Sequence, residues 1–120
     1  QFSVGYGETK HAPAQRMTSN TAGTAQIQHY ENDAYSIGFA VNDNLSVSYT
    51  EENSERKRKA KAALSNTTTR TDVEMEITTI DVSYTMGGAT LGLSNSETSN
   101  DSYTTGDDTT ETIVAISLAF

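Results

Sequence analysis

The sequence predicts an all-β protein of six antiparallel strands running up and down in chain order. Three observations carry this. Large apolar residues recur at every second position in six separate stretches, the period of a strand with two unlike faces. The connections between these stretches are alternately short and long. Leu, Ile, Val and Phe together make only 20 of the 120 residues, while the net charge is -8. That is too little apolar mass for an ordinary soluble core. The composition fits either a disordered polar chain or a membrane β-barrel, whose apolar residues need only cover an outer band. The regular alternation decides against the disordered chain, although a soluble β-sandwich would show the same parity.

The first strand covers 1–10, with Phe2, Val4 and Tyr6 on one face and Ser3, Gly5 and Gly7 on the other. Residues 11–24 hold the only proline, Pro13, among Ala, Thr, Ser, Asn and Gly, and read as a loop. The second strand covers 25–41. Its patterned half is Tyr35, Ile37, Phe39 and Val41, and its upstream half, Gln26 to Asp33, is polar. Asn42-Asp43-Asn44 reads as a tight turn, because Asn and Asp tolerate the left-handed conformation. The third strand covers 45–54, with Leu45, Val47 and Tyr49 opposite Ser46, Ser48 and Thr50.

Residues 56–70 read as a long loop opening on Arg56, Lys57, Arg58, Lys59 and Lys61, with helix-forming propensity from Arg56 to Leu64. The fourth strand covers 71–86. Val73, Met75 and Ile77 are odd-numbered, whereas Ile80, Val82, Tyr84 and Met86 are even-numbered, so the parity slips at Thr78-Thr79 and predicts a bulge. Gly87-Gly88 is a hairpin turn. The fifth strand covers 89–98, residues 99–109 form a polar loop, and the sixth strand covers 110–120.

Short turns at one end and long loops at the other are the pattern of outer-membrane barrels. On that pattern Phe39, Tyr84 and Phe120 lie toward the short-turn side. Tyr35, Tyr49 and Tyr30 lie nearer the long-loop side. The apolar face, turned to lipid, comprises Ile37, Phe39, Leu45, Val47, Tyr49, Ile80, Val82, Tyr84, Leu91, Leu93, Val114, Ile116, Leu118 and Phe120. The opposite face, turned to a wet lumen, comprises Ser46, Ser48, Asp81, Ser83, Thr85, Thr90 and Ser94.

Several segments resemble the C-terminal portion of a general bacterial porin. These are Asp81 to Ser94, with its Gly-Gly hairpin, the alternating Asn44 to Thr50, and the final Ile113 to Phe120. The resemblance implies a transmembrane β-barrel of the Gram-negative outer membrane, commonly trimeric. Such a protein passes small hydrophilic solutes by passive diffusion and contacts lipid and lipopolysaccharide. It implies no cofactor and no catalysis. Porin lumens open only at about 16 strands or more. Six strands are therefore expected to be the last part of a longer barrel, or one chain's share of a common one. The chain opens on a strand, Gln1-Phe2-Ser3-Val4, as expected if a leader or an N-terminal part precedes it.

Other chemistries are weakly supported. There is no Cys, which removes disulfides, thiol catalysis and Cys-ligated zinc. No apolar run approaches the ~18 residues of a membrane helix. The acidic balance argues against nucleic acid, and the basic run lacks interleaved aromatics. That run reads as a solvated loop partly neutralised by Glu51, Glu52 and Glu55, or as a group that contacts lipopolysaccharide phosphates or attracts anionic solutes. Asp81 is the one charge placed in mid-wall and the best candidate for tuning ion selectivity. His11 and His29 lie in separate polar segments, Asp43 and Asp107-Asp108 lack ordered calcium-loop spacing, and no Ser–His–acid set is visible, so neither a metal site nor an enzyme is expected. The competing reading is a secreted or surface all-β structural or adhesion protein, a sandwich or a filament subunit.

Overall fold

The structure, a computed structural model, describes residues 1–12, 26–59 and 72–119. They form one sheet of six strands: β1 (Phe2–His11), β2 (Gln26–Ala40), β3 (Leu45–Lys59), β4 (Val73–Met86), β5 (Ala89–Ser99) and β6 (Thr109–Leu118). Neighbours in sequence are neighbours in the sheet, and every pair is antiparallel. The sheet is open, with β1 and β6 at its edges.

Both short turns form for readable reasons. At the β2–β3 turn Val41 N donates to Leu45 O at 2.8 Å, and the Asn42 side-chain oxygen accepts from the backbone N–H groups of Asn44 and Leu45, both at 2.9 Å. This corrects the expectation of left-handed residues there. None of Asn42, Asp43 and Asn44 has positive φ, because the Asn42 side chain supplies the acceptor that closes the turn. At the β4–β5 turn Gly87 does take positive φ, 60°. Gly88 is needed for space: a Cβ there would lie 2.9 Å from the Ala119 carbonyl oxygen. That proximity exists because Ala119 N donates to Gly88 O at 2.7 Å.

Three further expectations are corrected. The third strand does not stop at 54 but runs to Lys59, so Arg56, Lys57, Arg58 and Lys59 stand in a strand and not in a loop or helix. The polar half of β2 gives them a partner, with Tyr30 opposite Arg56 and His29 opposite Lys57, and that backbone ladder overrides helix propensity. Lys61 and Pro13 lie outside the described residues, as do all of 13–25 and 60–71. There is no bulge at Thr78-Thr79, since the β3–β4 and β4–β5 registers pass through it unbroken. The apolar residues change face there while the ladder keeps step. The irregularity in the sheet falls instead between Ile27 and His29.

No described residue is fully buried. The chain exposes 8984 Å², against about 6,300 Å² expected for a compact monomer of this mass. Both faces of the sheet are open, and one of them is largely hydrocarbon.

Candidate functional site

The register lines the apolar residues up across the sheet. Phe2, Phe39, Val47, Val82, Leu93 and Val114 form one unbroken row through all six strands. One row toward the short turns stand Leu45, Tyr84, Leu91 and Ile116, and beyond them Met86, Ala89 and Leu118. One row the other way stand Val4, Ile37, Tyr49 and Ile80, and beyond those Tyr6 and Tyr35. Every described residue assigned to the lipid side at the sequence level lies on this face; Phe120 is outside the described residues.

The band is not level with the rows. Its upper limit is Tyr6 and Tyr35 on β1 and β2, Tyr49 and Ile80 on β3 and β4, and Leu93 and Val114 on β5 and β6. It descends one row for every two strands. One row is two residues, about 6.7 Å of strand, and two strands are about 9.6 Å of sheet width. The band therefore crosses the strands as it would if they leaned about 35° from its normal. Its height on β4, Ile80 to Met86, is six residue steps, about 20 Å along the strand.

Just above the band the same face turns acidic. The hydroxyl groups of Tyr35 and Tyr49 both donate to the Glu51 carboxylate, the latter at 2.8 Å, with the two rings 6.2 Å apart. Tyr6 donates to Glu8 at 3.3 Å, Lys10 pairs with Glu31 at 2.6 Å, and Lys57 pairs with Glu55. Alternation splits the basic run. Lys57 lies on this face, while Arg56 and Arg58, opposite Tyr30 and Ile27, lie on the other.

That other face is lined by hydroxyls. Ser46 stands opposite Ser83, Ser48 opposite Asp81, Asp81 opposite Ser94, and Thr85 opposite Thr90, so all seven residues assigned to the lumen share it. Thr85 and Thr90 bond at 3.1 Å, Thr79 and Ser96 at 3.1 Å, and Ser48 donates to Asp81 at 3.5 Å. A groove of about 290 Å³ between Ser3, Gly38, Ser46, Ser48, Asp81 and Ser83 holds this carboxylate among hydroxyls. Asp81 is not the only charge on the wall, as the sequence suggested. Glu52, Arg56, Arg58 and Glu111 share its face. The two arginines join this face because the strand continues past 54 to Lys59.

The sequence also gave no role to the connection from Asn100 to Asp108. It is held by its own bonds: Asp101 N to Asp107 O at 2.6 Å, Gly106 N to the Asn100 side chain at 3.0 Å, and the Asn100 amide to Glu74 O at 2.9 Å. A single 3-10 turn, Asp101–Tyr103, delivers Tyr103 over the hydroxyl face. Its hydroxyl meets Ser54 Oγ at 2.6 Å, its ring centre lies 5.4 Å from that of Tyr30, and the Arg56 guanidinium sits 4.9 Å from the ring. Tyr30 is thus on the hydroxyl face and does not join the outer tyrosines, which corrects its earlier placement. A lone aromatic in a polar connection was the signal for Tyr103.

His11 and His29 fall on opposite faces, opposite Tyr30 and Lys57 respectively, so they cannot share a metal ion. Among the described residues no group of three His, Cys, Asp or Glu side chains could hold one. Among the described residues no helix is long and apolar enough to cross a membrane, which says nothing about crossing by strands. Comparison with protein-family models, with curated proteins and with solved structures finds no match to this chain.

Proposed function

We propose that the chain is part of the wall of an outer-membrane porin, a water-filled channel for passive diffusion of small hydrophilic solutes. The observation that carries this reading is the six-strand apolar row within a band that descends in step along the sheet. A lean of about 35° lies within the strand tilt that closed membrane barrels require. On this reading lipid covers the band, Tyr6, Tyr35 and Tyr49 mark its upper boundary, and the acidic strand ends project beyond it. The hydroxyl face becomes the lumen wall, with Asp81 the carboxylate that solutes meet in the lower groove. Six strands do not enclose a channel, so further strands of the same or other chains complete it, as in a barrel of about 16 strands.

The test is reconstitution from denaturant into detergent and then into liposomes. Strand content that appears only with detergent or lipid, followed by sugar-driven liposome swelling, supports a channel. A chain that folds and stays soluble without detergent overturns it in favour of a secreted structural or adhesion protein, whose apolar face packs on a second sheet.

A further inference from the structure

We infer that Arg56, with Tyr103, Tyr30 and Ser54, forms a binding site for an oxyanion, the carboxylate or phosphate group of a small solute. This rests on the geometry of the sheet alone, so it can fail while the channel reading stands, and the reverse.

The chain carries 16 acidic against 8 basic residues, so carboxylate partners are abundant. Lys10 and Lys57 each have one, in Glu31 and Glu55. Arg56 is half-buried, yet among the described residues no carboxylate lies within 4.0 Å of it. The nearest acid along its own face of β3 is Glu52, four residues away, about 13 Å along the strand. Arg56 Nη2 donates to the Tyr103 carbonyl oxygen at 2.9 Å, and its ring-facing plane is taken by Tyr103. Its Nε is shut off from solvent and has no acceptor. A buried guanidinium donor without an acceptor is costly, and a polar group left so marks a place for a partner.

The surroundings fit an anion. The fork of a guanidinium matches two oxygens of a carboxylate or phosphate. Ser54 Oγ donates to Asn32 Oδ1, so the Tyr103 hydroxyl donates to Ser54 Oγ and is the further donor within the same cluster. Arg58 adds a second positive charge two residues along the same face. The chain also accepts backbone strain to hold this arrangement. Asn100, Ser102 and Tyr103 have φ of 52°, 54° and 59°, a left-handed conformation that non-glycine residues rarely adopt. Three such residues in one short connection are typical of a site that positions a side chain for a task.

The experiment uses the folded chain in detergent micelles. Inorganic phosphate is titrated at constant ionic strength against chloride while NMR follows the backbone amide resonances of Ser54 and Tyr103, which every variant retains. A saturating shift is expected, abolished in Arg56→Gln, weakened about tenfold in Arg56→Lys, and unchanged in Lys57→Gln. Acetate competing with bound phosphate would extend the site to carboxylates, and phosphate binding without competition would restrict it to phosphate. A linear, unsaturable shift in the unaltered chain overturns the inference, as does saturation that survives Arg56→Gln. Should that variant fail to fold, the unaltered chain and Arg56→Lys decide the matter by themselves.

Discussion

Tyr103 and Ser54 stand 49 residues apart in sequence and bring their hydroxyl oxygens to 2.6 Å. The contact ties the β5–β6 connection to β3 across the width of β4. Removing the hydroxyl alone, in Tyr103→Phe, should cost about 0.5–1.5 kcal/mol, the net worth of one neutral hydrogen bond. Tyr103→Ala also loses the ring contacts with Tyr30 and Arg56 and should cost more. Amide hydrogen exchange over Asn100–Asp108 reads this directly. Unchanged protection in Tyr103→Ala would show that the connection holds its shape without the anchor.

Ile116 sits one row below the unbroken apolar row, beside Leu91. If lipid covers that row, Ile116→Lys should cost about 2–4 kcal/mol of folding free energy in vesicles. Ser117→Lys, on the hydroxyl face, should cost far less. Equal effects of the two substitutions would remove the distinction between a lipid side and a wet side.

The two glycines of the β4–β5 turn should fail differently. Gly88→Ala places a methyl against the Ala119 carbonyl and should loosen the end of β6 where Ala119 N bonds to Gly88 O. Gly87→Ala meets open space but must keep φ near 60°, a strain of about 1 kcal/mol. Gly7→Ala, with open space and no positive φ, is the control. Exchange rates at Ala119 separate the first two: faster in Gly88→Ala, little changed in Gly87→Ala.

Glu31 stands above the apolar band and bonds to Lys10 and His29. The Lys10 hydrogen bond first, and then that of His29, holds its pKa below the ordinary carboxylate range. A depressed carboxylate pKa favours the folded state above the unfolded pKa, and that contribution fades as pH falls through the folded value. Lys10→Gln should move the Glu31 midpoint, followed by NMR of its side-chain carboxyl, back toward ordinary values. A midpoint that stays put would assign the shift to another neighbour.

Period-2 alternation made nearly all the strands legible, because a half-covered sheet writes its two faces into every second residue. Leu45 to Tyr49 and Ile80 to Met86 are read correctly from that alone. Arg56 to Lys59 were misread because polar strand ends carry no alternation of hydrophobicity, and only the partner strand shows that they are extended. The switch of apolar parity in β4 looked like a bulge for a related reason. Periodicity reports which face is apolar, whereas Val73, Met75 and Ile77 are apolar on the hydroxyl face, near the turn that carries Tyr103. The Arg56 cluster was invisible because Tyr30, Ser54, Arg56 and Tyr103 come from three elements that only the register and the folded connection bring together.

The height of the apolar band carries one more consequence. About 20 Å of strand at a lean of about 35° spans only about 16 Å of hydrocarbon, less than the ~25 Å band common in outer-membrane barrels. Such a wall would stretch or compress its lipid surroundings according to acyl-chain length, a hydrophobic mismatch that favours thin bilayers. Refolding should therefore be most complete in vesicles of short-chain phosphatidylcholine and should decline steadily as the chains lengthen. The same property would sort the protein toward membranes, or membrane patches, whose interior is already thin.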